Sequence, residues 1–308
     1  MAMTEPHAGA LAPGLEAAPG DGITDVVAGK PMRADVIKRF RRNKLAMCGI
    51  AFIVLLVIMA IFAPWIAPYS FSELDTGANR QPPSWDHLFG TDTIGRDVFS
   101  RVVYGARVSL KIGILATVLT LLIGVTYGAI AGFAGGAVDS LLMRVIDIFL
   151  SIPYIVLAIA IATVFGRSEN AIILVLGLTG WLAISRIVRS SFLSLKQLEY
   201  IESAHAQGFT KKRIMFRHVL PNAMQPIIVY GTVAIGGVIL SEAALSFLGV
   251  GPQPPTPAWG LMVAEAGAGS LTSAPHMLFF PGFAIFLTVL AFVLVGDGLR
   301  DALDPKLK

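Results

Sequence analysis

Residues 199–222, EYIESAHAQGFTKKRIMFRHVLPN, form a charged, amphipathic island between two strongly apolar stretches. The chemistry it suits is docking. Leu195, Leu198, Ile201 and Ala204 recur every three residues, while Lys196, Glu199, Ser203 and Gln207 take the other faces, which predicts a short amphipathic helix. Gly208 supplies its C-terminal cap. Thr210 can cap a second short helix carrying Lys211, Lys212 and Arg213, and Pro221 is expected to end that helix. The result is a knob with small residues, Ser203, Ala204 and Ala206, at its tip. Such a tip fits another protein's groove; the competing reading is a helix lying on lipid headgroups.

Covalent chemistry has no comparable constellation. No Gly-x-x-x-x-Gly-Lys-Ser/Thr stretch exists to cradle ATP phosphates. His205 and His218 both lie in the polar island, and no Ser/His/Asp set appears beside them. Cys48, the single cysteine, sits in an apolar block, and no Cys/His spacing suggests a metal. The remaining charged candidates border apolar blocks. Glu242 lies near the end of one, where a charge usually faces a cavity or a partner. Arg144 and Asp147 are spaced to pair on one helix face, with Asp139 nearby, and Arg186 and Arg189 close another block.

The elements that position these residues are membrane helices. Of 308 residues, 55% are hydrophobic and 14% charged, against about 25% charged in soluble domains. The apolar residues fall in blocks at 45–67, 112–134, 145–165, 171–188, 223–248 and 277–296. A hydrocarbon core of roughly 30 Å takes about 20 helical residues, so six spans are expected. Gly124, Gly128 and Gly132 make a small-residue stripe for close helix packing. Pro153 is expected to kink the third span, and Val98, Val102 and Val103 suggest a short interfacial helix before the second. Residues 1–37, rich in Ala, Gly and Pro at the start, read as a disordered tail without a cleavable signal.

Charge sets the orientation. The net charge is +4, which in such a chain marks loops on the cytoplasmic side and not a nucleic-acid surface. Lys38, Arg39, Arg41, Arg42 and Lys44 precede the first span, six Lys and Arg occupy 189–217, and Arg300, Lys306 and Lys308 follow the last. These fall on one side, placing both termini and the docking knob in the cytoplasm. Arg80, Arg96, Arg101 and Arg107 break the pattern on the other side.

Glu202-Ser203-Ala204, Gly208 and Leu220-Pro221 resemble the Glu-Ala-Ala loop of ATP-binding-cassette (ABC) importer permeases, with Ser203 for the first Ala and His218 where Ile is usual. FGTDTIGRDVFSRVVYGARVSL (89–110), GGAVDSLLMRVIDIFLSIP (135–153), EAALSFLGVGPQPPTPAWG (242–260) and GDGLRDALDPKLK (296–308) extend the resemblance to the dipeptide/oligopeptide/nickel subfamily and its C-type subunit. It covers the chain from about residue 33 onward. The resemblance implies an all-α, multi-pass type I importer permease of the bacterial inner membrane. It divides the chain into a first helix with an extracytoplasmic segment (38–107), a permease core (108–297) with its coupling loop (195–221), and a cytoplasmic tail (298–308). Implied partners are a sister permease, two ATPase subunits holding ATP and Mg, an extracytoplasmic binding protein and membrane lipid. This chain itself would be no enzyme and bind no cofactor, metal or nucleic acid. Glu202, Ser203, Ala204 and Gly208 would couple to the ATPase: Glu202 reaching a donor, Ala204 packing in its groove, Gly208 permitting the turn. Glu242 becomes a candidate pathway or gate residue. Peptides are the expected substrate, with nickel or glutathione-like compounds the alternative. An ion-coupled secondary transporter is the remote one, since the internal repeats usual there are not seen.

Overall fold

The structure, a computed structural model, describes residues 32–304 apart from residue 268. The expected disordered tail lies outside the described residues as far as 31. From Met32 onward that expectation is corrected, because α1 (Met32–Arg42) is helical and packs on the end of the chain. The spans then follow. α2 is Lys44–Ile61, its first turn capped by Asn43 Oδ1 accepting from the Ala46 N–H at 3.1 Å. α3 (Ala63–Ile66) is one turn. α4 runs unbroken from Val98 to Ala134, capped by Asp97. The separate interfacial helix expected at Val98 is therefore not formed: Val98, Val102 and Val103 are buried in the first turns of α4, which runs on through Gly105 and Gly113 with no proline to interrupt it.

α5 (Gly136–Leu150) and α6 (Tyr154–Phe165) follow, with α7 (Glu169–Leu195) capped by Ser168. The expected kink at Pro153 is in fact a break, with α5 and α6 bent by 89°. Pro153 lacks the N–H that would continue the ladder, and Ser151 and Ile152 close the end of α5 with short-range backbone bonds. α8 (Glu199–Ala206) and α9 (Lys211–Ile214) form the knob. Pro221 does not end the second helix. α9 passes through a π turn, Met215–Val219, directly into α10 (Leu220–Phe247). The wider turn accommodates the proline, whose ring would otherwise clash with the carbonyl four residues back. α11 (Trp259–Ala266), α12 (Ser270–Ser273) and α13 (His276–Leu303) complete the fold.

Five helices are long and apolar enough to cross a membrane, and the bent α5–α6 pair passes that test together. The packing settles the count. α4 and α7 lie side by side and point the same way. Lys111 Nζ meets Glu169 Oε2 at 2.8 Å near their starts, and Lys196 Nζ donates to the Phe133 carbonyl at 2.7 Å near their ends. The chain between them must return, so α5–α6 is a crossing. The start of α2 and the end of α13 also meet, because Arg39 Nη1 donates to the Asp304 carbonyl at 3.2 Å. The number of crossings is therefore even, and it is six.

The α4–α7 contact is a glycine seam. A Cβ added at Gly124 would lie 2.9 Å from the Trp181 carbonyl oxygen, at Gly128 2.3 Å from that of Ser185, and at Gly132 2.8 Å from that of Arg189. These neighbours are backbone and cannot rotate away. Gly128→Leu is expected to lower stability by about 3 kcal/mol, the upper end of the usual range for overpacking. Gly282→Ala, where a Cβ meets nothing within 4 Å, should leave stability nearly unchanged. Thermal melting of the detergent-purified protein compares the two.

On the side away from α8, two of the arginines that broke the charge pattern, Arg96 and Arg101, are neutralised. Asp92 Oδ2 pairs with Arg96 Nε at 2.5 Å and Arg101 Nη1 at 2.6 Å. Glu265 Oε2 of α11 pairs with Arg96 Nη2 at 2.9 Å and Arg101 Nη2 at 2.8 Å. Two acids and two bases close an electrically neutral square, buried except at Glu265, which is 18% exposed. Burial alone would raise the Asp92 carboxyl. The backbone N–H groups of Arg96 and Ile94 and the two guanidiniums outweigh it and hold the carboxyl below its ordinary 3.8. Arg107 donates instead to the Ala60 and Ile61 carbonyls at 2.9 and 3.0 Å, satisfying the end of α2. The proline-rich stretch before α11 packs on α4, with the Pro257 carbonyl against Gly105. Trp259 is fully buried and donates through Nε1 to the Val102 carbonyl at 2.9 Å.

Candidate functional site: the α8 knob and the cleft above it

α8 is held from below. Ile201 and Ala204 are buried in one apolar cluster with Ile184, Val188 and Phe192 of α7, Ile214, and Ala223 and Ile227 of α10. The knob is thus fused to the ends of two membrane helices. Its C-terminus is a Schellman motif: the Phe209 N–H donates to the Ala204 carbonyl at 3.2 Å and the Gly208 N–H to that of His205 at 3.0 Å. Gly208 has φ +78, a conformation that only glycine adopts without strain. The motif turns Phe209 back onto the cluster, where Arg213 lies 4.2 Å over its ring and His218 stacks on it at 5.8 Å. Thr210 caps α9 as expected, accepting from the Arg213 N–H at 3.4 Å.

The four residues singled out in this stretch therefore divide. Glu202 and Ser203 are exposed, together with His205, Ala206 and Gln207. Ala204 is turned inward and 4% exposed, so its methyl group holds the knob on its own chain and is not offered to a partner groove. Gly208 shapes the turn. The exposed surface carries Glu202 at one end and Lys211, Lys212 and Arg213 at the other.

Above the knob, α4, α5, α6, α7 and α10 enclose an open cleft of about 320 Å³. Its lining has no charged side chain. Thr120, Tyr154, Thr179, Tyr230 and Ser241 supply hydroxyls, and the rest is apolar or glycine. Glu242 neighbours Ser241 in sequence but does not line the cleft. It is 1% exposed, one carboxyl oxygen accepts from Ser246 Oγ at 2.6 Å, and the other has no partner. Among the described residues, no cluster of His, Cys, Asp and Glu could hold a metal ion.

Charge returns at the α8 end of the cleft. Arg186, one turn beyond the lining residues Leu182 and Ala183, reaches Asp147, one turn before Leu150, at 2.5 Å. Arg189 forks onto Asp139 through Nε and Nη2, at 2.5 and 2.6 Å. Asp147 thus pairs across to α7 and not with Arg144 on its own helix. Single-helix spacing could not show this, because the partners lie 39 and 50 residues apart.

Residues 124–308 match the family described as binding-protein-dependent transport system inner membrane component, and residues 32–83 match the N-terminal transmembrane domain of oligopeptide transport permease C. The chain belongs to this permease family. It is 45% identical to a dipeptide transport system permease protein of Alkalihalophilus pseudofirmus over 89% of this chain and 90% of that one. An oligopeptide transport system permease protein of Bacillus subtilis is also 45% identical, over the same shares. A glutathione transport system permease protein of Escherichia coli O157:H7 is 47% identical over 88% of this chain and 89% of its own. Among solved structures, a chain of the MetNI methionine ABC transporter in inward-facing conformations superposes with a TM-score of 0.57 at 18% identity, covering 66% of this chain and 97% of that one. That likeness speaks for the fold.

Both members of the Asp147–Arg186 pair are 49% exposed, so its strength is that of a surface pair, about 1 kcal/mol at most. Arg186→Asp should part α5 from α7 and raise the labelling rate of a thiol in Leu182→Cys, a cleft-lining position that is 6% exposed, by a water-soluble maleimide roughly fivefold. The exchange Asp147→Arg with Arg186→Asp should restore the slow rate. Both are made in a Cys48→Ser background, since Cys48 is exposed.

Proposed function

We propose that this permease forms half of the translocation pathway of an ATP-driven peptide importer. A sister permease would close the open side of the cleft. Two ATPase subunits holding ATP and Mg would dock on α8 from the cytoplasm, and an extracytoplasmic binding protein would deliver the substrate. Both termini lie in the cytoplasm of a bacterial inner membrane, because the Lys and Arg flanking the spans collect on the α8 side and the exceptions are largely neutralised or engaged where they stand.

One observation carries the reading. The cluster that fixes α8 is built on α7 and α10, and the same two helices supply Thr179, Gly180, Tyr230 and Ser241 to the wall of the cleft. A displacement of α8 by a partner therefore moves the cleft wall directly. Glu202 and Ser203 present the docking surface, Ala204 anchors it and Gly208 sets its turn. ATP binding would favour one of two arrangements of the cleft and hydrolysis the other. Phosphate chemistry falls to the partners, since this chain has no phosphate loop.

Apolar walls with a few hydroxyls tolerate varied side chains and can still hydrogen-bond a peptide backbone. This favours peptides, the substrate named for the first two relatives. Glutathione, itself a peptide, is the second reading and rests on the third. The test is uptake in proteoliposomes holding this chain, its sister permease and the ATPases, with the binding protein outside. Labelled dipeptide, oligopeptide and glutathione are compared. ATP-dependent uptake of the first two is the expected result; uptake of none of them, with the complex intact, would refute the assignment.

A further inference from the structure

α1 has two unlike faces. On one, Arg39 donates to the Asp304 carbonyl at 3.2 Å. Phe40 lies so close to Gly298 of α13 that a Cβ there would meet the Phe40 ring at 3.2 Å. On the other face, Ile37, Lys38, Arg41 and Arg42 border a cleft of about 500 Å³. All four side chains are exposed, Ile37 by 55%. Among the described residues, Lys38, Arg41 and Arg42 have no ion-pair partner.

The surroundings of this face identify its occupant. Only Asn43 separates α1 from the membrane helix α2, so the three cations stand at the edge of the hydrocarbon. An apolar strip flanks the cations, formed by Ile37 on α1 and Leu45 in the first turn of α2, 55% and 64% exposed. A soluble protein docking on the cations would leave this apolar strip uncovered. A phospholipid covers both, its phosphate among the cations and its chains along the strip.

We propose that the face of α1 formed by Ile37, Lys38, Arg41 and Arg42 is a binding site for anionic phospholipid headgroups of the adjoining leaflet. Because the opposite face of α1 holds the last turns of α13, a bound lipid fixes the end of the final span as well. The site depends on neither the substrate nor the ATPase assignment.

The test uses the full chain purified with its sister permease and exchanged into nanodiscs of phosphatidylcholine with or without phosphatidylglycerol. Retained lipid is counted by native mass spectrometry. The wild type is expected to retain phosphatidylglycerol over phosphatidylcholine. Lys38→Gln with Arg41→Gln and Arg42→Gln should lower that preference about a hundredfold, near fivefold per cation, with melting temperature unchanged in phosphatidylcholine. Neutralising Lys211, Lys212 and Arg217, also three exposed cations and on the same side, should leave retention unaltered. Equal loss in both variants would mean that net charge alone attracts the lipid and would overturn the site. So would undiminished retention in the α1 variant.

Discussion

Arg101→Met should destabilise this permease by about 3–5 kcal/mol, the cost of leaving buried carboxylates short of a partner. Arg101 is 1% exposed and bridges Asp92 and Glu265. Without it, two acids share the single guanidinium of Arg96. Chemical unfolding in detergent micelles measures the loss. The combined change Arg101→Met with Glu265→Leu removes one charge of each sign, and it should cost less than Arg101→Met alone. Greater damage in the double variant would show that the network stabilises through more than charge balance. The pH dependence has a definite sign. The Asp92 carboxyl is held below 3.8 in the folded protein, so its contribution to stability is fully present above 3.8. That contribution is lost as pH falls through the lowered folded value. In Arg101→Met one of the depressing charges is gone, so the contribution should be smaller and its loss complete at a higher pH than in the wild type.

The second large effect falls on transport. Gly208→Pro cannot keep the φ of +78 at this turn, since proline fixes φ near −65°. It also removes the N–H that donates to the His205 carbonyl. The Schellman motif must open and release Phe209 from beneath the knob. ATP-dependent uptake in the reconstituted complex is expected to fall at least about tenfold, which requires only about 1.4 kcal/mol of lost docking. Glu202→Arg touches no internal contact, because Glu202 is exposed, and should lower uptake without lowering the melting temperature. Ala204→Leu should do the reverse first. Its side chain enters a packed cluster, so stability falls by about 1–3 kcal/mol whether or not a partner is present. Unchanged uptake in both Gly208→Pro and Glu202→Arg would return α8 to the reading of a helix resting on headgroups.

Local signals carried much of this architecture. The apolar blocks marked the spans, the stripe Gly124, Gly128 and Gly132 marked the tightest helix contact, and Gly208 and Thr210 marked the turn and cap of the knob. These depend on neighbours within a few residues, so a linear reading reaches them. What escaped depends on three-dimensional neighbours. Pro153 and Pro221 look alike in sequence, yet one breaks a span at a right angle and the other is absorbed by a π turn. Short-range bonds of Ser151 and Ile152 end α5 before Pro153, whereas the π turn Met215–Val219 carries the helix through Pro221. Ala204 belongs to the same small-residue run as Ser203 and Ala206, and only the cluster beneath it shows that it faces inward. Asp147 had a partner at ideal spacing in Arg144 and takes Arg186 instead. Arg96 and Arg101 read as violations of the charge rule because Glu265, which completes their neutralisation, is supplied by a distant helix.

That distance has a consequence for how the protein is made. Arg96 and Glu265 are 169 residues apart, so at ordinary synthesis rates of roughly 5–20 residues per second the second acid follows by on the order of ten seconds or more. When α4 enters the bilayer, Asp92 is the single acid of the square already present, and it must serve two guanidiniums. The network is thus exported one acid short, and it closes only when α11 arrives. A ribosome halted between α10 and α11 would hold a chain in which Arg96 and Arg101 still share the one carboxylate of Asp92.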